Sequence, residues 1–191
     1  MSIYERIVTL RAPEIADLAQ LHAWSNSNEL WSQLVGWHFP YSTRSTEQWI
    51  RSRNDNDQIN QVFVIETADR ELVGTANLVD INWKNRGAIH GVMIGNPEAR
   101  GKGYALDAVM ALMRYAFDEL GLERMESTVL SSNPRSLHFY TRKCGWTLEG
   151  TRRRAAFRQG GFVDLNMIGI VRDDYIAHAQ RTRYWSGHAE E

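Results

Sequence analysis

Apolar residues follow a two-residue period in some parts of the chain and a helical period in others, and this difference predicts its strands and helices. Strand-like runs occupy residues 3–10, 61–67, 71–81, 88–94, 124–130, 146–154 and 162–171. The second and third runs are separated by a tight polar turn, which predicts a hairpin.

Helical spacing of apolar residues predicts helices that start at Pro13, near Ser45, at Gly103 and near Arg135. Pro13 suits a first helical turn, because its missing N–H costs nothing there. Ser45 and Gln48 have the spacing of a capping box. The elements run strand, two helices, three strands, helix, strand, helix and two strands. This order predicts an α+β (mixed α/β) domain around one sheet.

Composition and charge restrict the class of protein. The 191 residues contain 22 Lys and Arg against 23 Asp and Glu, so the formal net charge is −1 and no overall field attracts DNA. Cys144 is the single cysteine, which excludes an intrachain disulfide framework and a cysteine-rich zinc site. The six histidines include no pair at helical ligand spacing, so we expect no metal.

The sequence also bears on domain count and location. Its N-terminus lacks the basic and then apolar pattern of a signal peptide, and no apolar run approaches the roughly 18 residues of a membrane span. We therefore expect a cytoplasmic protein with no membrane partner. No linker-like segment divides the chain, so we expect one domain over residues 1–191.

A glycine-rich turn at residues 100–105 carries the most informative chemical signal. It precedes the long predicted helix, whose first backbone N–H groups and positive dipole end suit a phosphate. The Gly-Lys-Ser/Thr of a P-loop is absent, and Leu106 stands at the third glycine of a dinucleotide fingerprint. A plain strand-to-helix turn stays open as the other interpretation.

Residues 95–105 closely resemble the acetyl-CoA signature of the GNAT superfamily of N-acetyltransferases. The signature reads Gln/Arg-x-x-Gly-x-Gly/Ala, and Arg100, Gly103 and Ala105 satisfy it. The resemblance implies a central, mostly antiparallel twisted sheet that is splayed at an acyl-CoA cleft and flanked by helices. It also implies acetyl-CoA as the co-substrate.

Further segments extend the resemblance over most of the chain. Residues 133–140 look like the Asn…Ala/Ser…Tyr helix of the family, and residues 143–146 like its Lys-x-Gly-Phe continuation. Similarity to the RimJ/RimL-like branch rests on the predicted hairpin, Asn85-Arg86 and residues 157–160. The resemblance covers about residues 7–175 and leaves residues 176–191 as a C-terminal extension.

The resemblance assigns the cofactor-binding residues, which are Met93, Ile94, Arg100, Gly101, Lys102, Gly103, Tyr104, Ala105 and Asn133. The pantetheine arm would lie in the gap beside Met93 and Ile94, and backbone amides of residues 100–105 would hold the pyrophosphate. Asn133 would bond the pantetheine arm. Helix capping before Pro134 is an alternative physical reason for Asn133.

The resemblance implies a general acid but leaves the base open. Tyr140 matches the family tyrosine often assigned to protonate the departing thiolate, and core packing is its other interpretation. Many RimJ/RimL-like relatives carry a glutamate where this chain has Ile89. His90 follows, but strand alternation turns it to the opposite face. Glu126 on the next strand is the other candidate, with a strand-end ion pair as its simpler interpretation.

Water can instead relay the proton of the acceptor amine, and we favour this version at the level of the sequence. It predicts acceptor amines of lower pKa, such as α-amines near 8 or amino sugars, over lysine near 10.4, because more of the amine is neutral. An amine attacks only in its neutral form, so some proton acceptor is needed in every version.

Four tryptophans lie in the region that covers the acceptor site in related enzymes. Trp24 and Trp49 fall on predicted helical faces and are expected to pack. Trp31 and Trp37 lie between the helices and are the candidates for a substrate pocket.

A basic run near the last predicted hairpin consists of Arg152, Arg153 and Arg154, with Arg158 beyond it. A solvated face is the simpler interpretation, because runs of charge usually stay in water. Contact with an acidic acceptor, such as a nucleotide-linked sugar, a peptide carboxylate or RNA, is the alternative.

Together the motifs predict an acetyl-CoA-dependent N-acetyltransferase that transfers the acetyl group by direct attack of a primary amine in a ternary complex. The acceptor would be a protein N-terminus or a small amine, such as an amino sugar, an antibiotic or a polyamine. We expect a monomer or a homodimer. The missing glutamate leaves a non-catalytic acyl-CoA-binding regulatory module open, and the basic run leaves an aminoacyl-tRNA-dependent transferase open.

Overall fold

Eight strands form one sheet in the computed structural model, which describes residues 3–4, 6–36, 39–53 and 57–186. The strands are β1 (Ile3–Tyr4), β2 (Val8–Arg11), β3 (Gln61–Thr67), β4 (Leu72–Asn82), β5 (Gly87–Ile94), β6 (Arg124–Leu130), β7 (Thr147–Arg158) and β8 (Gly161–Val171). Their order across the sheet is β1-β2-β3-β4-β5-β6-β8-β7. The result is a mixed α/β domain, as the order of the predicted elements indicated.

Helices cover both faces of this sheet. They are α1 (Leu18–Ser25), α2 (Asn28–Gln33), α3 (Thr43–Ser52), α4 (Tyr104–Arg114), α5 (Pro134–His138) and α6 (Arg172–Thr182). Single 3₁₀ turns occupy Ile15–Asp17 and Pro97–Ala99, and π-helical turns extend α4 over Tyr115–Glu119 and α5 over Phe139–Lys143. No helix among the described residues is long and apolar enough to cross a membrane.

One pair of neighbouring strands is parallel, and this pair opens the sheet. β5 and β6 pair in parallel only at Gly87↔Arg124, Ala88↔Met125 and Ile89↔Glu126, whereas every other neighbouring pair is antiparallel. β5 continues to Ile94 and β6 to Leu130 without pairing to each other. The predicted splay of a mostly antiparallel sheet is confirmed, and its apex lies at Ile89 and Glu126.

The two faces have separate cores because strand residues alternate between them. The α4 face holds the larger core, in which seven consecutive residues of α4, from Asp107 to Met113, are buried. The α1–α3 face holds a smaller core, where Trp24 and Ile50 pack against Met93 of β5. In β5, Met93 therefore points to the α1–α3 face, while Val92 and Ile94 pack on the α4 face.

Trp24 fixes the smaller core to the end of β5. Its indole lies so close to the backbone of Gly95 that a Cβ at this position would approach the ring to 2.2 Å. Glycine is therefore required where β5 ends. Trp49 is half-buried against the same core. The expectation that Trp24 and Trp49 pack is confirmed.

A buried carboxylate holds the start of α4 in place. Asp107 Oδ2 accepts hydrogen bonds from the backbone N–H groups of Ile7 (2.8 Å) and Val8 (3.0 Å). Its Oδ1 accepts a hydrogen bond from the hydroxyl of Tyr184 at 2.7 Å. The first turn of α4 is thereby tied to β2 and to the chain that follows α6.

Several boundaries differ from the sequence-based expectations. The strand predicted over residues 3–10 is divided into β1 and β2, which pair with each other. The connection between the first two predicted helices contains a further helix, α2, which is capped by Ser27 and buries Leu30. The predicted capping box is wrong, because α3 starts earlier and Ser42 Oγ accepts the N–H of Ser45 at 3.1 Å. The sequence pattern does not predict α6.

Candidate active site

A cleft of about 720 Å³ is lined by the unpaired end of β5, by α2, by the glycine turn with the start of α4, and by α5. Eight of the nine residues predicted to hold the cofactor line it: Met93, Ile94, Arg100, Gly101, Gly103, Tyr104, Ala105 and Asn133. Lys102 is exposed on the same turn but does not line the cleft. The structure therefore brings together segments that lie about forty residues apart in the sequence, as Met93 and Asn133 illustrate.

The glycine turn lines the cleft and leads into the N-terminal end of α4. Gly101 and Gly103 have φ angles of +81° and +91°, which favour glycine over any residue with a Cβ. Gly103 is the N-cap, and the N–H of Asp107 is bonded to its carbonyl oxygen at 3.0 Å. The N–H groups of residues 104–106 precede this bond and point out of the helix end. These groups and the helix dipole form a site that fits a diphosphate.

The side chain of Arg100 links this turn to the opposite side of the cleft. Its guanidinium forms an ion pair with Glu29 of α2 and donates a hydrogen bond to the carbonyl oxygen of Ile94 at 3.4 Å. Glu29 also lines the cleft. Because the Arg100 charge is balanced within the protein, the backbone amides remain the main anion-binding groups of this wall.

Both polar atoms of the Asn133 side-chain amide form hydrogen bonds. Its Oδ1 accepts the N–H of Ser136 at 3.1 Å, which makes it the N-cap of α5. Its Nδ2 donates to the carbonyl oxygen of Gln33 at 3.3 Å, which ties α5 to the end of α2. The capping interpretation is confirmed, and a contact to the pantetheine arm stays a prediction.

Tyr140 lies in the π-helical turn that continues α5, and only 4% of its surface is exposed. Its ring packs edge-on against the rings of His90 and Trp146, with centroid distances of 5.9 Å and 5.1 Å. Burial raises the pKa of Tyr140 well above its usual value, so its hydroxyl keeps its proton at neutral pH. A proton-bearing phenol is the form that a general acid requires.

His90 lies on the α4 face, next to Tyr140, and is buried, whereas Ile89 is exposed on the α1–α3 face. This placement follows the alternation predicted for the strand. His90 Nδ1 lies 3.1 Å from the carbonyl oxygen of Asn77, which accepts hydrogen bonds only, so we assign the ring proton to Nδ1. Burial lowers the pKa of His90 to about 4. The histidine is neutral at pH 7 and is separated from the α1–α3 face.

Glu126 is the carboxylate at the apex of the strand splay, and neither it nor Tyr140 lines the cleft itself. It pairs in register with Ile89 and is exposed, so both side chains share the α1–α3 face. Arg124 Nε donates to Glu126 at 3.3 Å and its two terminal nitrogens bond Glu149 at 2.7 Å and 2.5 Å. The strand-end ion pair is confirmed, and it leaves most of the Glu126 carboxylate open to solvent.

The structure describes one of the two tryptophans that were predicted to line a substrate pocket. Trp31 lies in α2 and does not line the cleft, and its Nε1 donates to the carbonyl oxygen of Ser25 at 2.8 Å. Trp37 lies outside the described residues.

The arginines of the basic run differ in their contacts. Arg158 Nη2 donates to the carbonyl oxygens of Leu34 at 3.0 Å and Val35 at 2.6 Å. Arg158 therefore supports the segment after α2. The three arginines at 152–154 are exposed.

Several residues that line the cleft are not predicted by the sequence motifs: Glu29, Gln33, Arg135, Ser136, Phe139 and Lys143. Those from α2 are distant in sequence from the signature, and no local pattern predicts that they approach it. Those from α5 recur at helical spacing on one side of the helix, which is a signal that the sequence contains. Among the described residues no group of three His, Cys, Asp or Glu side chains could hold a metal ion.

Comparison with known proteins agrees with the geometry. The profile of the family described as acetyltransferase (GNAT) domain matches residues 8–147. The chain belongs to this family. A spermidine N(1)-acetyltransferase of Vibrio cholerae is 28% identical over 173 residues, which cover 91% of this chain and 98% of the relative. The spermidine N(1)-acetyltransferase of Escherichia coli K12 is 30% identical over 172 residues, which cover 89% of each chain.

One solved structure of a similar protein contains ligands. The crystal structure of spermidine N-acetyltransferase from Vibrio cholerae in complex with CoA and spermine has a TM-score of 0.80 and 30% identity, and the match covers 88% of this chain and 98% of that one. The GNAT protein described here is therefore an acetyl-CoA-dependent N-acetyltransferase, as its motifs predicted. Its place in the RimJ/RimL-like branch stays a prediction.

The buried His90 predicts a pH dependence of stability for this acetyltransferase. Its pKa is about 4 in the folded protein against 6.5 in the unfolded chain, so the unfolded state binds the proton more tightly. The contribution to stability is complete above about pH 6.5 and is lost as the pH falls toward 4, at about 1.4 kcal/mol per pH unit. In His90→Phe, the loss of unfolding free energy between pH 7 and 4.5 should be smaller by about 2–3 kcal/mol.

Urea unfolding at several pH values measures this difference. His138→Gln, at an exposed position of α5, is the control and should keep the wild-type slope. Equal slopes in wild type and His90→Phe would show that folding does not lower the pKa of His90.

Proposed function

We propose that this enzyme acetylates a primary amine of a small molecule by direct attack in a ternary complex, and that linear polyamines are its acceptor class. One observation carries the proposal. Tyr140 and Glu126 flank the last parallel pair of β5 and β6 from opposite faces of the sheet: Tyr140 packs against His90 in the core of the α4 face, and Glu126 pairs with Ile89 on the α1–α3 face. This arrangement provides a proton donor and a proton acceptor on the two sides of one reacting carbon.

The position of the thioester follows from the position of the diphosphate. With the diphosphate at the start of α4, the pantetheine arm runs along the unpaired edge of β5 from Ile94 toward Ile89. That path is roughly 16 Å long at about 3.3 Å per residue. The free backbone groups of β5 and β6 suit the amides of the arm, as they would an added strand. The acetyl group then lies at the apex.

The chemistry assigns one role to each side chain. The amine enters from the α1–α3 face, and Glu126 takes its proton through a water molecule. The neutral nitrogen forms a bond to the thioester carbon, and the carbon–sulfur bond then breaks. The Tyr140 hydroxyl supplies a proton to the departing thiolate. Cys144 is buried and burial raises the pKa of its thiol, so an acyl-cysteine intermediate has no support.

The α1–α3 face near the apex has the chemistry of a polyamine, whose cationic nitrogens alternate with methylene chains. Glu126 supplies negative charge, while Ile89 and Met167 are exposed apolar side chains on the same face. Two relatives that match nearly the whole chain are spermidine N(1)-acetyltransferases. Amines of high pKa are mostly protonated at pH 7 and need a group that accepts the proton. A carboxylate at the apex provides this group, whereas a water relay alone would favour amines of lower pKa.

The binding of acetyl-CoA at the glycine turn is tested by two matched glycine substitutions. Gly103 and Gly160 have φ angles of +91° and +82°, and a Cβ at either position would meet no atom closer than 3.4 Å. Alanine therefore introduces comparable backbone strain at both, but only Gly103 borders the cleft. Gly103→Ala should raise the Kd of acetyl-CoA about tenfold or more, a loss of about 1.4 kcal/mol, by calorimetry.

Gly160→Ala, in the β7–β8 turn, should bind acetyl-CoA with wild-type affinity. Unchanged affinity in folded Gly103→Ala would place the diphosphate elsewhere.

Tyr140→Phe tests the general acid. The substitution should lower kcat by about 10²–10⁴-fold and leave the Kd of acetyl-CoA unchanged, because the phenolic proton is needed mainly in the transition state. Steady-state kinetics with the best acceptor and calorimetry with acetyl-CoA separate the two effects. Tyr115→Phe removes a hydroxyl from the π-helical turn that follows α4, which has no role in the proposed chemistry, so this control should keep full activity. Normal turnover in Tyr140→Phe would reduce Tyr140 to a packing role.

The acceptor class and the base are tested together. At equal concentration, spermidine should be acetylated with a higher kcat/KM than a peptide α-amine, an amino sugar and a lysine side chain. Glu126→Gln should lower this kcat/KM by about 10²-fold or more and flatten the acidic limb of its pH profile. Glu149→Gln removes the other partner of Arg124 and should have little effect. A preference for the peptide α-amine, or an unchanged acidic limb, would contradict the proposal.

A further inference from the structure

Two cationic side chains line the cleft on the wall formed by α5 and its π-helical extension. They are Arg135 and Lys143, here called the α5 cation pair, and Phe139 lines the cleft between them. These positions are four residues apart, and such spacing keeps side chains on one side of a helix. Both cationic residues are exposed. Neither forms an ion pair within the part of the chain that the structure describes.

The charges that line the cleft do not balance. Arg100 is neutralised by Glu29, the only acidic residue of the lining within the described part of the chain. The α5 cation pair therefore leaves two uncompensated positive charges on the wall. Positive charges on a concave surface attract an anion, and they do so more strongly than on an open surface.

Acetyl-CoA has two separate groups of negative charge. The diphosphate has its site at the amides of residues 104–106 and the positive end of the α4 dipole. The ribose carries a further 3′-phosphate, a monoester with about −1.5 to −2 charge near pH 7, by analogy with a phosphorylated side chain. This second anion needs its own cationic partners, and its charge matches that of the α5 cation pair.

We propose that Arg135 and Lys143 form the binding site for the 3′-phosphate of CoA, which rests on the proposed function and extends its cleft to the adenosine end. Their Cα atoms are separated by about 12 Å along the helix at about 1.5 Å per residue. Both side chains are long, and they converge on a phosphate held over Phe139. Arginine provides a planar, bidentate donor for phosphate oxygens, and lysine provides a point charge.

The backbone at Lys143 is held firmly by α6. His178 Nε2 donates to the carbonyl oxygen of Lys143 at 3.1 Å, since that oxygen can only accept. A Cβ at Gly145 would approach the His178 ring to 2.6 Å, so the chain after Lys143 passes directly against the histidine. The flexible lysine side chain thus extends from a fixed backbone. A fixed origin reduces the entropy lost when the side chain binds an anion.

The test is a double-mutant cycle between protein and ligand. Calorimetry measures the Kd of CoA and of 3′-dephospho-CoA for wild type, Arg135→Gln, Lys143→Gln and the double variant. Wild type should bind CoA at least about tenfold more tightly than 3′-dephospho-CoA. Each single variant should reduce this ratio, and the double variant should bring it close to one, while its Kd for 3′-dephospho-CoA stays at the wild-type value.

Arg142→Gln is the matched control, because Arg142 is exposed on the same π-helical turn and does not line the cleft. It should keep the wild-type ratio. The preference for CoA should also weaken with salt in wild type and lose this dependence in the double variant. Thermal unfolding without ligand verifies that each variant is folded, and the single variants decide the question if the double variant is not.

The remaining outcomes overturn the proposal. Equal losses for both ligands would assign the cations to the diphosphate or to the helix itself, and a wild type that does not distinguish the ligands would have no 3′-phosphate site. If wild type binds CoA and Gly103→Ala weakens it but the ratio does not respond to the α5 cation pair, this inference fails and the proposed function stands. If wild type binds neither ligand, the proposed function fails as well.

Discussion

The separation of β5 from β6 is the constraint on which the rest of this structure depends. Three parallel pairs, ending at Ile89 and Glu126, hold the strands together. Beyond them, the edges of β5 and β6 that face each other form no strand pairs, although each strand remains paired on its other side. An unpaired strand edge inside a protein is costly unless something else occupies it. The cleft is therefore a consequence of sheet geometry, and in the proposed function the pantetheine arm occupies the strand edges that the sheet leaves unpaired.

Several contacts keep the opening from collapsing. Trp24 packs against the backbone of Gly95 at the end of β5, and Asp107 ties the start of α4 to β2. On the other side, Asn133 joins α5 to the end of α2. Gly95 and Asn133 follow the ends of β5 and β6, and Asp107 lies in the first turn of α4, so the contacts hold three different segments around the opening. They fix the walls by hydrogen bonds and close packing, so the binding groups are positioned before any ligand arrives.

The sequence predicts the strands better than the ends of the helices. The bounds of β3 and β6 agree with the prediction because each is a short run with strand composition between clear turn residues. Two serines three residues apart, Ser42 and Ser45, are both acceptable caps, and the choice between them depends on the connection that precedes the helix. α2 has only six residues, which is too short for a helical period to appear. Local pattern does not decide such cases.

The candidate site divides in the same way. The glycine turn and Tyr140 are recognisable because their residues are contiguous or follow a motif. The alternation of Ile89 and His90 also follows from the strand alone. The sequence does not predict that Glu126 pairs with Ile89 or that Glu29 forms an ion pair with Arg100. Each contact joins segments that are distant in the sequence, and the whole fold determines how they approach. Charge balance in the cleft is visible only after these partners are known.

The contacts of Arg158 have a consequence for altering acceptor specificity. This side chain, at the end of β7, holds the carbonyl oxygens of Leu34 and Val35 in the segment after α2. Val35 also packs against the small apolar cluster that contains Leu130 and Leu165. The segment after α2 and the β7–β8 hairpin therefore support each other, although more than a hundred residues separate them in the sequence. A graft that exchanges the segment for that of a relative must transfer the hairpin as well, or the new loop will lose its support.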